Sequence, residues 1–150
     1  MPKILIADDS ELVRKMLVAI LSEQEGWTVC GQANNGQQAV LMAHKLAPDL
    51  IIMDIAMPIV DGLHATVEVL KGNPSLPIIL YTVHQNNQIQ LEGKKAGARA
   101  VISKTDPTEN LIATIQKLLE ESPSAPSPEI VEPETPTQRD ATLKGGEESN

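Results

Sequence analysis

Short apolar runs, each followed by a polar residue, constrain the fold of this chain more than any other feature of its sequence. They lie at residues 3–7, 50–53, 78–81 and 100–102, and apolar residues fill them almost continuously instead of alternating with polar ones. Strands of a parallel sheet have this composition because helices cover both of their faces. Residues 28–33 form a fifth, less apolar run, which we place at an edge of the sheet.

Longer segments with helical spacing separate these runs. Residues 36–47, 63–70 and 85–96 are predicted helices, and the last is polar and amide-rich, so we expect it to be the most mobile element. Two further helices each carry an apolar stripe. The first stripe consists of Leu12, Val13, Met16, Leu17, Ile20 and Leu21, and the second of Leu111, Ile112, Ile115, Leu118 and Leu119. The alternation of strands and helices predicts an α/β fold.

The length of 150 residues leaves room for one domain with its own core and for a tail. We place the domain at residues 1–121. Residues 122–150 are rich in Pro, Ser and Glu, and closely spaced prolines exclude a helix or a central strand. This segment is therefore predicted to be a disordered acidic tail.

The charge and the cysteine content exclude several classes of protein. The formal net charge of -8 argues against DNA or RNA as a partner, because binding to a phosphate backbone needs clustered Lys and Arg. Cys30 is the only cysteine, so an internal disulfide is excluded and a cytoplasmic location is predicted. The apolar run at residues 4–7 is far shorter than a signal-peptide core or a membrane span. We expect no membrane contact.

Reactive side chains follow four of the five predicted strands. Asp8 and Asp9 follow the first, Asp54 the third, Thr82 the fourth and Lys104 the fifth. Because the carboxyl ends of parallel strands lie along one edge of a sheet, these groups are expected to share a cleft. Three carboxylates in one cleft repel one another unless they bind a hard cation through oxygen. Mg²⁺ is the predicted ion, since zinc prefers His or Cys ligands.

The hydroxyl and the ammonium extend this metal site into a phosphoryl site. Thr82 and Lys104 can hold the phosphoryl oxygens that a metal ion leaves free. Asp54 would then be the nucleophile, since an acyl phosphate on a carboxylate is an established covalent strategy. Singly, each residue is better explained as a helix cap, a buried β-branched residue or a surface charge. Together they predict phosphoryl chemistry.

These segments resemble the receiver domains of bacterial two-component response regulators over residues 2–121. The matching segments are residues 4–10 (Ile-Leu-Ile-Ala-Asp-Asp-Ser), residues 54–62 (Asp-Ile-Ala-Met-Pro-Ile-Val-Asp-Gly), Thr82 after an apolar strand, Gly97 with Ala98, and Lys104. The resemblance implies a flavodoxin-like, doubly wound (βα)5 sandwich with a parallel sheet in the order 2-1-3-4-5. It also implies a phosphorylation switch and not a metabolic enzyme.

The family's roles carry over to matching positions of this sequence. Asp54 would be the phosphoacceptor, Asp9 a direct Mg²⁺ ligand and Asp8 a ligand through water. The backbone carbonyl of Ala56 would complete the metal site. Lys104 would bridge to the phosphoryl group, and Thr82 would move to hydrogen-bond it.

The resemblance further implies the partners and the output. The donor would be a sensor histidine kinase or a histidine phosphotransfer protein, and the output a contact with a downstream protein target. Receivers of this family often pair through the fourth helix, fifth strand and fifth helix, so a homodimer through that face is an open alternative. Pro58 and Gly62 would shape the loop after the acceptor, with glycine supplying unusual backbone conformations.

Three positions depart from the family pattern. Val101 stands where the family commonly has a rotating aromatic residue, and Thr105 stands where a proline usually follows the lysine. Val83, next to the switch threonine, is bulkier than the usual small residue. We therefore expect ordinary phosphorylation chemistry but an altered output mechanism.

Alternative functions use a similar sheet. A Mg-dependent phosphohydrolase usually has an Asp-x-Asp pattern after its first strand, which adjacent Asp8 and Asp9 do not match. A flavodoxin-like cofactor binder needs a Gly-rich or Ser/Thr-rich phosphate loop there, and none follows residues 4–7. The chain could also be the receiver half of a truncated DNA-binding transcriptional regulator. We favour a stand-alone receiver because no helix-turn-helix pattern follows the domain.

Overall fold

A computed structural model describes residues 1–121, which form five strands and five helices in strict alternation. The strands are β1 (Lys3–Ala7), β2 (Thr28–Ala33), β3 (Leu50–Met53), β4 (Ile78–Thr82) and β5 (Ala100–Ser103). The helices are α1 (Glu11–Ser22), α2 (Gly36–Leu46), α3 (Gly62–Gly72), α4 (Asn87–Ala96) and α5 (Thr108–Glu121).

The sheet is parallel throughout and has the order β2-β1-β3-β4-β5. This order confirms the predicted fold and places β2 at an edge. The chain crosses over after β1 to form β2 and then returns to pair β3 against the other side of β1. The strand order therefore reverses between β1 and β3, where the two acidic strand ends lie side by side.

Two aliphatic clusters cover the two faces of the sheet. On one face α1 and α5 pack against the strands, and Leu17, Leu111 and Ile115 are buried there. On the other face α2 and α3 supply mainly small residues, such as Ala39 and Ala65. Burying a Leu or Ile side chain contributes roughly 1.5–3 kcal/mol, so these clusters are the main source of stability. They leave the carboxyl edge of the sheet free for polar groups.

The predicted stripe on α1 is wrong at two positions. Leu12 is 78% exposed and Met16 is 39% exposed, whereas Leu17 and Leu21 are fully buried. One face of α1 contacts the sheet, and Leu12 and Met16, one helical turn apart, lie outside that face. The stripe on α5 is confirmed, because each of its five apolar residues is buried or packs against the core.

Two helix starts differ from the sequence-based bounds because Asx caps determine them. Asp61 accepts a hydrogen bond from the His64 amide at 2.8 Å and starts α3 at Gly62. Asn86 accepts one from the Ile89 amide at 2.9 Å and starts α4 at Asn87, two residues after the predicted start. Short polar side chains at this position satisfy amides that have no partner within the helix.

The predicted disordered tail, residues 122–150, lies outside the described residues. Within residues 1–121, no helix combines the length and the apolar character needed to cross a membrane.

Candidate functional site

The turn between β1 and α1 holds two aspartates in different environments. The Asp8 amide donates to the Ala33 carbonyl on β2 at 3.0 Å, and its carboxylate accepts from the Ser10 amide at 2.9 Å. Ser10 is in turn the N-cap of α1. Asp8 is 2% exposed, whereas Asp9 is exposed. No hydrogen bond or ion pair within residues 1–121 engages the Asp9 side chain, so its carboxylate faces solvent.

Asp54 follows β3 and lies beside this pair. Its amide donates to the Ala7 carbonyl at 2.8 Å, which extends the β1–β3 pairing by one residue. Asp54 is 5% exposed. One carboxylate oxygen from each of Asp8, Asp9 and Asp54 can be chosen so that all three lie within 4.8 Å of one another. The predicted acidic cluster is therefore present at the carboxyl edge of the sheet.

Lys104 places its ammonium between two of these carboxylates. Its Nζ lies 2.6 Å from Oδ2 of Asp8 and 3.4 Å from Oδ1 of Asp54. The Lys104 amide also donates to the Thr82 carbonyl at 2.8 Å, which fixes the residue just beyond β5. Three carboxylates and one ammonium leave a local net charge of -2.

The carboxylates and the ammonium shift one another's pKa values. Burial, and then the charge of Asp8, raise the pKa of Asp54 above its ordinary value, although Lys104 opposes this shift. For Lys104, burial acts to lower the pKa, but hydrogen bonding and charge from Asp8 and Asp54 outweigh it and leave the pKa raised. The ammonium is therefore firmly protonated, and Asp54 carries a charge that its surroundings disfavour.

The donor set fits a hard divalent cation. It consists of carboxylate oxygens with no His or Cys, and a charge of +2 would balance the local charge of -2. Mg²⁺ prefers such oxygen ligands and retains several waters. The Ala56 carbonyl, two residues after Asp54, accepts no hydrogen bond from any residue within 1–121, whereas the Ile55 carbonyl accepts from the Met57 and Gly62 amides. Ala56 is therefore free to contribute an oxygen.

The loop between β3 and α3 is held close to Asp54. A Cβ atom at Gly62 would clash with the Asp54 carbonyl oxygen, so this glycine is required by close approach. The expectation that Gly62 supplies an unusual backbone angle is wrong, because the positive φ of this loop falls on Ile59 (φ 71°). The Val60 amide donates to the Pro58 carbonyl at 2.8 Å across Ile59, a γ-turn that is strained for a β-branched residue.

Thr82 ends β4 and is buried. Its Oγ1 accepts from the His84 amide at 3.3 Å, and its carbonyl accepts from the Lys104 amide. The threonine is thus linked through the backbone to the residue that contacts Asp8 and Asp54. Val83, the bulkier neighbour, is 54% exposed.

Several contacts at the site were not predicted from the sequence. The side-chain amides of Gln85 and Gln90 donate to the Val101 carbonyl at 3.4 and 3.1 Å, and so attach the start of α4 to β5. Arg14 donates to the Asp8 carbonyl at 2.7 Å. The amide-rich composition of α4 indicated that its side chains could form hydrogen bonds, but not with which group. The sequence around Arg14 likewise gave no indication that its partner would be a backbone carbonyl.

Comparisons with known proteins agree with this geometry. The family model described as "Response regulator receiver domain" matches residues 4–116. The transcriptional regulatory protein YdfI of Bacillus subtilis is 36% identical over 115 residues, which cover 77% of this chain and 54% of that protein. The response regulator GacA of Pseudomonas aeruginosa is 32% identical over 118 residues, covering 79% and 55%.

A solved structure extends the likeness to three dimensions. The response regulator domain of Thermotoga maritima CheB has a TM-score of 0.75 and 28% sequence identity, and the match covers 82% of this chain and 99% of that one. This chain spans about half the length of the curated relatives YdfI and GacA.

Proposed function

This chain belongs to the response regulator receiver domain family, and from that membership we propose that Asp54 is its phosphoacceptor. Members of the family act as phosphoacceptor switches in two-component signal transduction. The donor is a sensor histidine kinase or a histidine phosphotransfer protein that presents phosphohistidine. The observation that best supports this assignment is the ammonium of Lys104 lying against both Asp8 and Asp54.

The transfer step uses groups that are already in place. An Asp54 carboxylate oxygen forms a bond to phosphorus, the bond from phosphorus to the histidine nitrogen breaks, and its electron pair returns to the imidazole. Phosphoryl transfer depends mainly on positioning and on neutralising charge. Lys104 favours the ionised form of Asp54, which is the form that attacks. It also supplies a fixed positive charge for the incoming phosphoryl oxygens.

Asp8, Asp9, Asp54 and the Ala56 carbonyl would hold Mg²⁺. When bound, the ion would neutralise the carboxylates and bind phosphoryl oxygens. Asp9 would be the direct ligand, because its exposed carboxylate has no partner within residues 1–121. Both oxygens of Asp8 already accept hydrogen bonds, from the Ser10 amide and from Lys104. Asp8 would therefore bind the ion through water.

The signal leaves the site through β4 and β5. After phosphorylation, the Thr82 hydroxyl gives up the His84 amide and donates to a phosphoryl oxygen. Thr82 pairs with Ser103 on β5, and Gln85 and Gln90 connect β5 to α4. The output surface is accordingly α4, β5 and α5, which binds a downstream protein target or a second copy of the chain. With Val101 in place of an aromatic residue, backbone and amide contacts carry the change.

Exposed apolar residues near the strand ends support docking of a protein donor. Leu12 and Met16 on α1 and Ile59 on the loop after Asp54 are among the exposed large hydrophobic residues of the described part of the chain. Leu12 lies two residues after the α1 cap, and Ile59 five residues after the acceptor. An apolar helix face on the partner would cover these residues and bring its phosphohistidine to Asp54.

Other parts of the assignment follow from this role. The domain reacts once with its own carboxylate, so it is a switch and not a metabolic enzyme. A cytoplasmic location suits both a kinase partner and the free thiol of Cys30. The preference for a stand-alone receiver over the receiver half of a larger regulator stays a prediction.

The test is phosphorylation by a small phosphodonor such as acetyl phosphate in the presence of Mg²⁺. We expect one phosphate per chain, stable in acid and lost in base, seen by intact mass. Chelation of Mg²⁺ and the Asp54→Asn substitution should each abolish it. Asp106→Asn is the matched control, because Asp106 is an exposed carboxylate in the loop before α5. Wild-type phosphate content in Asp54→Asn would refute the assignment.

A further inference from the structure

Arg14, in the first turn of α1, contacts the turn that carries the acidic pair. Its Nη1 donates to the Asp8 carbonyl at 2.7 Å, and its Nε donates to Oε1 of Gln32 at 3.2 Å. Gln32 lies on β2, the edge strand. The guanidinium thus connects α1, the end of β1 and the edge of the sheet at one point.

The partners of Arg14 are neutral oxygens. A cluster of three carboxylates begins at the residue that it contacts, yet within residues 1–121 no carboxylate forms an ion pair with Arg14. Arg14 therefore acts on the backbone of the turn and not as a counterion of the cluster.

The contact fixes a peptide unit between two functional residues. The Asp8 carbonyl and the Asp9 amide share one planar peptide group. The Asp8 amide is already held by Ala33, and the Asp8 carboxylate by Ser10 and Lys104. Arg14 holds the remaining polar group of Asp8, its carbonyl. Rotation of this peptide would change the direction in which the Asp9 side chain leaves the backbone.

We infer that Arg14 is a positioning residue for the metal site, and that its hydrogen bond to the Asp8 carbonyl keeps the Asp9 carboxylate aimed at the cation. The inference rests on the proposed function, because it concerns the Mg²⁺ site assigned there. Within residues 1–121, the Asp9 carboxylate has no hydrogen bond or ion pair, unlike those of Asp8 and Asp54. The direction of its side chain therefore depends on the conformation of the backbone. Removing a group that orients a metal ligand without touching the metal typically changes metal affinity 10–100-fold.

The test is Mg²⁺ binding to the full chain by isothermal titration calorimetry without a phosphodonor. Arg14→Met keeps much of the side-chain volume and removes both donors, and we expect its Kd for Mg²⁺ to rise on the order of tenfold. Gln32→Leu removes only the second partner of Arg14 and is the matched control, with an expected change under about twofold. Circular dichroism of the metal-free proteins checks that the variants are folded.

A second readout separates positioning from a general structural role. Phosphorylation by acetyl phosphate is followed across Mg²⁺ concentrations. For Arg14→Met we expect the Mg²⁺ concentration for half-maximal rate to rise with the Kd, while the rate at saturating Mg²⁺ stays within about threefold of wild type. A merely loosened fold would lower the saturating rate as well.

The outcomes are distinguishable. An Arg14→Met protein with the wild-type Kd overturns the inference and leaves the proposed function intact, whereas a wild-type chain that binds no Mg²⁺ refutes the proposed function itself. Should Arg14→Met not fold, Arg14→Gln replaces it, since its shorter side chain loses the reach to Asp8. If neither variant folds, Arg14 serves the fold and the inference is wrong.

Discussion

The Nζ atom of Lys104 lies 2.6 Å from Oδ2 of Asp8 but 3.4 Å from Oδ1 of Asp54. The ammonium is therefore bound more tightly to the buried aspartate after β1 than to the proposed acceptor. This asymmetry leaves Asp54 incompletely neutralised, which agrees with the raised pKa of its carboxyl. We therefore propose two separable roles for Lys104, one in the stability of the metal-free domain and one in phosphoryl transfer.

Lys104→Met should separate these roles. Breaking a buried ion pair typically costs about 3–5 kcal/mol because one charge stays buried without a partner, so we expect the metal-free variant to lose about 3 kcal/mol of unfolding free energy. Mg²⁺ affinity should stay equal or rise, since an ammonium no longer competes for Asp8. Phosphorylation should slow at least about tenfold. Urea unfolding, calorimetry and intact mass measure the three quantities.

The matched control for this variant is Lys71→Met. Lys71 pairs with Glu68 at 2.8 Å on the exposed face of α3, and such surface pairs contribute at most about 1 kcal/mol. Its stability and phosphorylation should stay near wild type. Equal losses in the two variants would show that the Lys104 pair has no special role.

Asp54→Asn should stabilise the metal-free domain. It removes a charge that burial and Asp8 disfavour, and changes of this kind at functional sites commonly add about 0.5–2 kcal/mol. Added Mg²⁺ should then stabilise wild type more than the variant, because the variant lacks one carboxylate ligand. Thermal unfolding with and without Mg²⁺ measures both effects. A metal-free Asp54→Asn protein that is less stable than wild type would contradict the electrostatic account.

The difference in unfolding stability between wild type and Asp54→Asn should depend on pH. The pKa of Asp54 is raised in the folded protein, so its carboxyl contributes stability below the ordinary carboxyl pKa, and this contribution is lost as pH rises through the folded value. The free energy of unfolding of Asp54→Asn should therefore exceed that of wild type only slightly at about pH 4, and the difference should grow toward about pH 7, because ordinary carboxyl groups titrate near the lower value. An advantage that shrinks over this range would oppose the assigned direction.

Ile59→Gly tests the docking surface. The positive φ of Ile59 costs a non-glycine residue roughly 1–2 kcal/mol, partly offset by the entropy of glycine, so stability should stay constant or rise by about 1 kcal/mol. Phosphorylation by acetyl phosphate should be unchanged. Transfer from a phosphohistidine protein donor should slow severalfold, because an exposed apolar contact is lost. Leu41→Ala is the control, because Leu41 is also an exposed apolar residue but lies in the groove between α2 and α3, together with Leu76. Equal effects of both variants on the protein donor would count against the surface.

Thr82→Ala should uncouple phosphorylation from output. The Thr82 hydroxyl accepts from the His84 amide. In the proposed mechanism it takes no part in the attack, so acceptor phosphorylation should stay within about threefold of wild type. Chemical shifts of the Val101 methyl groups and the Gln90 side-chain amide should no longer respond to the phosphate. Thr82→Ser keeps the hydroxyl and should retain the response. A full response in Thr82→Ala would place the signal on another route.

Strand positions and the acidic cluster were predictable because both depend on local composition. Runs buried on both faces are continuously apolar, and the first polar residue after each run marks the strand end. Asp8 and Asp54 were found in this way, whereas Lys104 lies one residue further on, after Ser103. The structure brings the three together. The receiver fold and its strand order are confirmed by the sheet and by the comparisons.

The contacts that escaped prediction join side chains to distant backbone. Gln90 reaches the carbonyl of Val101, and Arg14 reaches that of Asp8. A carbonyl is present at every residue, so sequence offers no signal for which one a side chain will meet. The exposure of Leu12 and Met16 escaped for a related reason, since helical periodicity gives the width of an apolar face but not which part of it the sheet covers.

The phosphoacceptor is identified by locating the phosphoryl group among the three clustered carboxylates. Phosphorylated protein is reduced with borohydride, which converts an aspartyl phosphate to homoserine, and is then digested and sequenced by mass spectrometry. We predict homoserine at position 54 and at neither Asp8 nor Asp9. Homoserine at position 8 or 9, or phosphate retained on a hydroxyl after reduction, would contradict Asp54 as the acceptor.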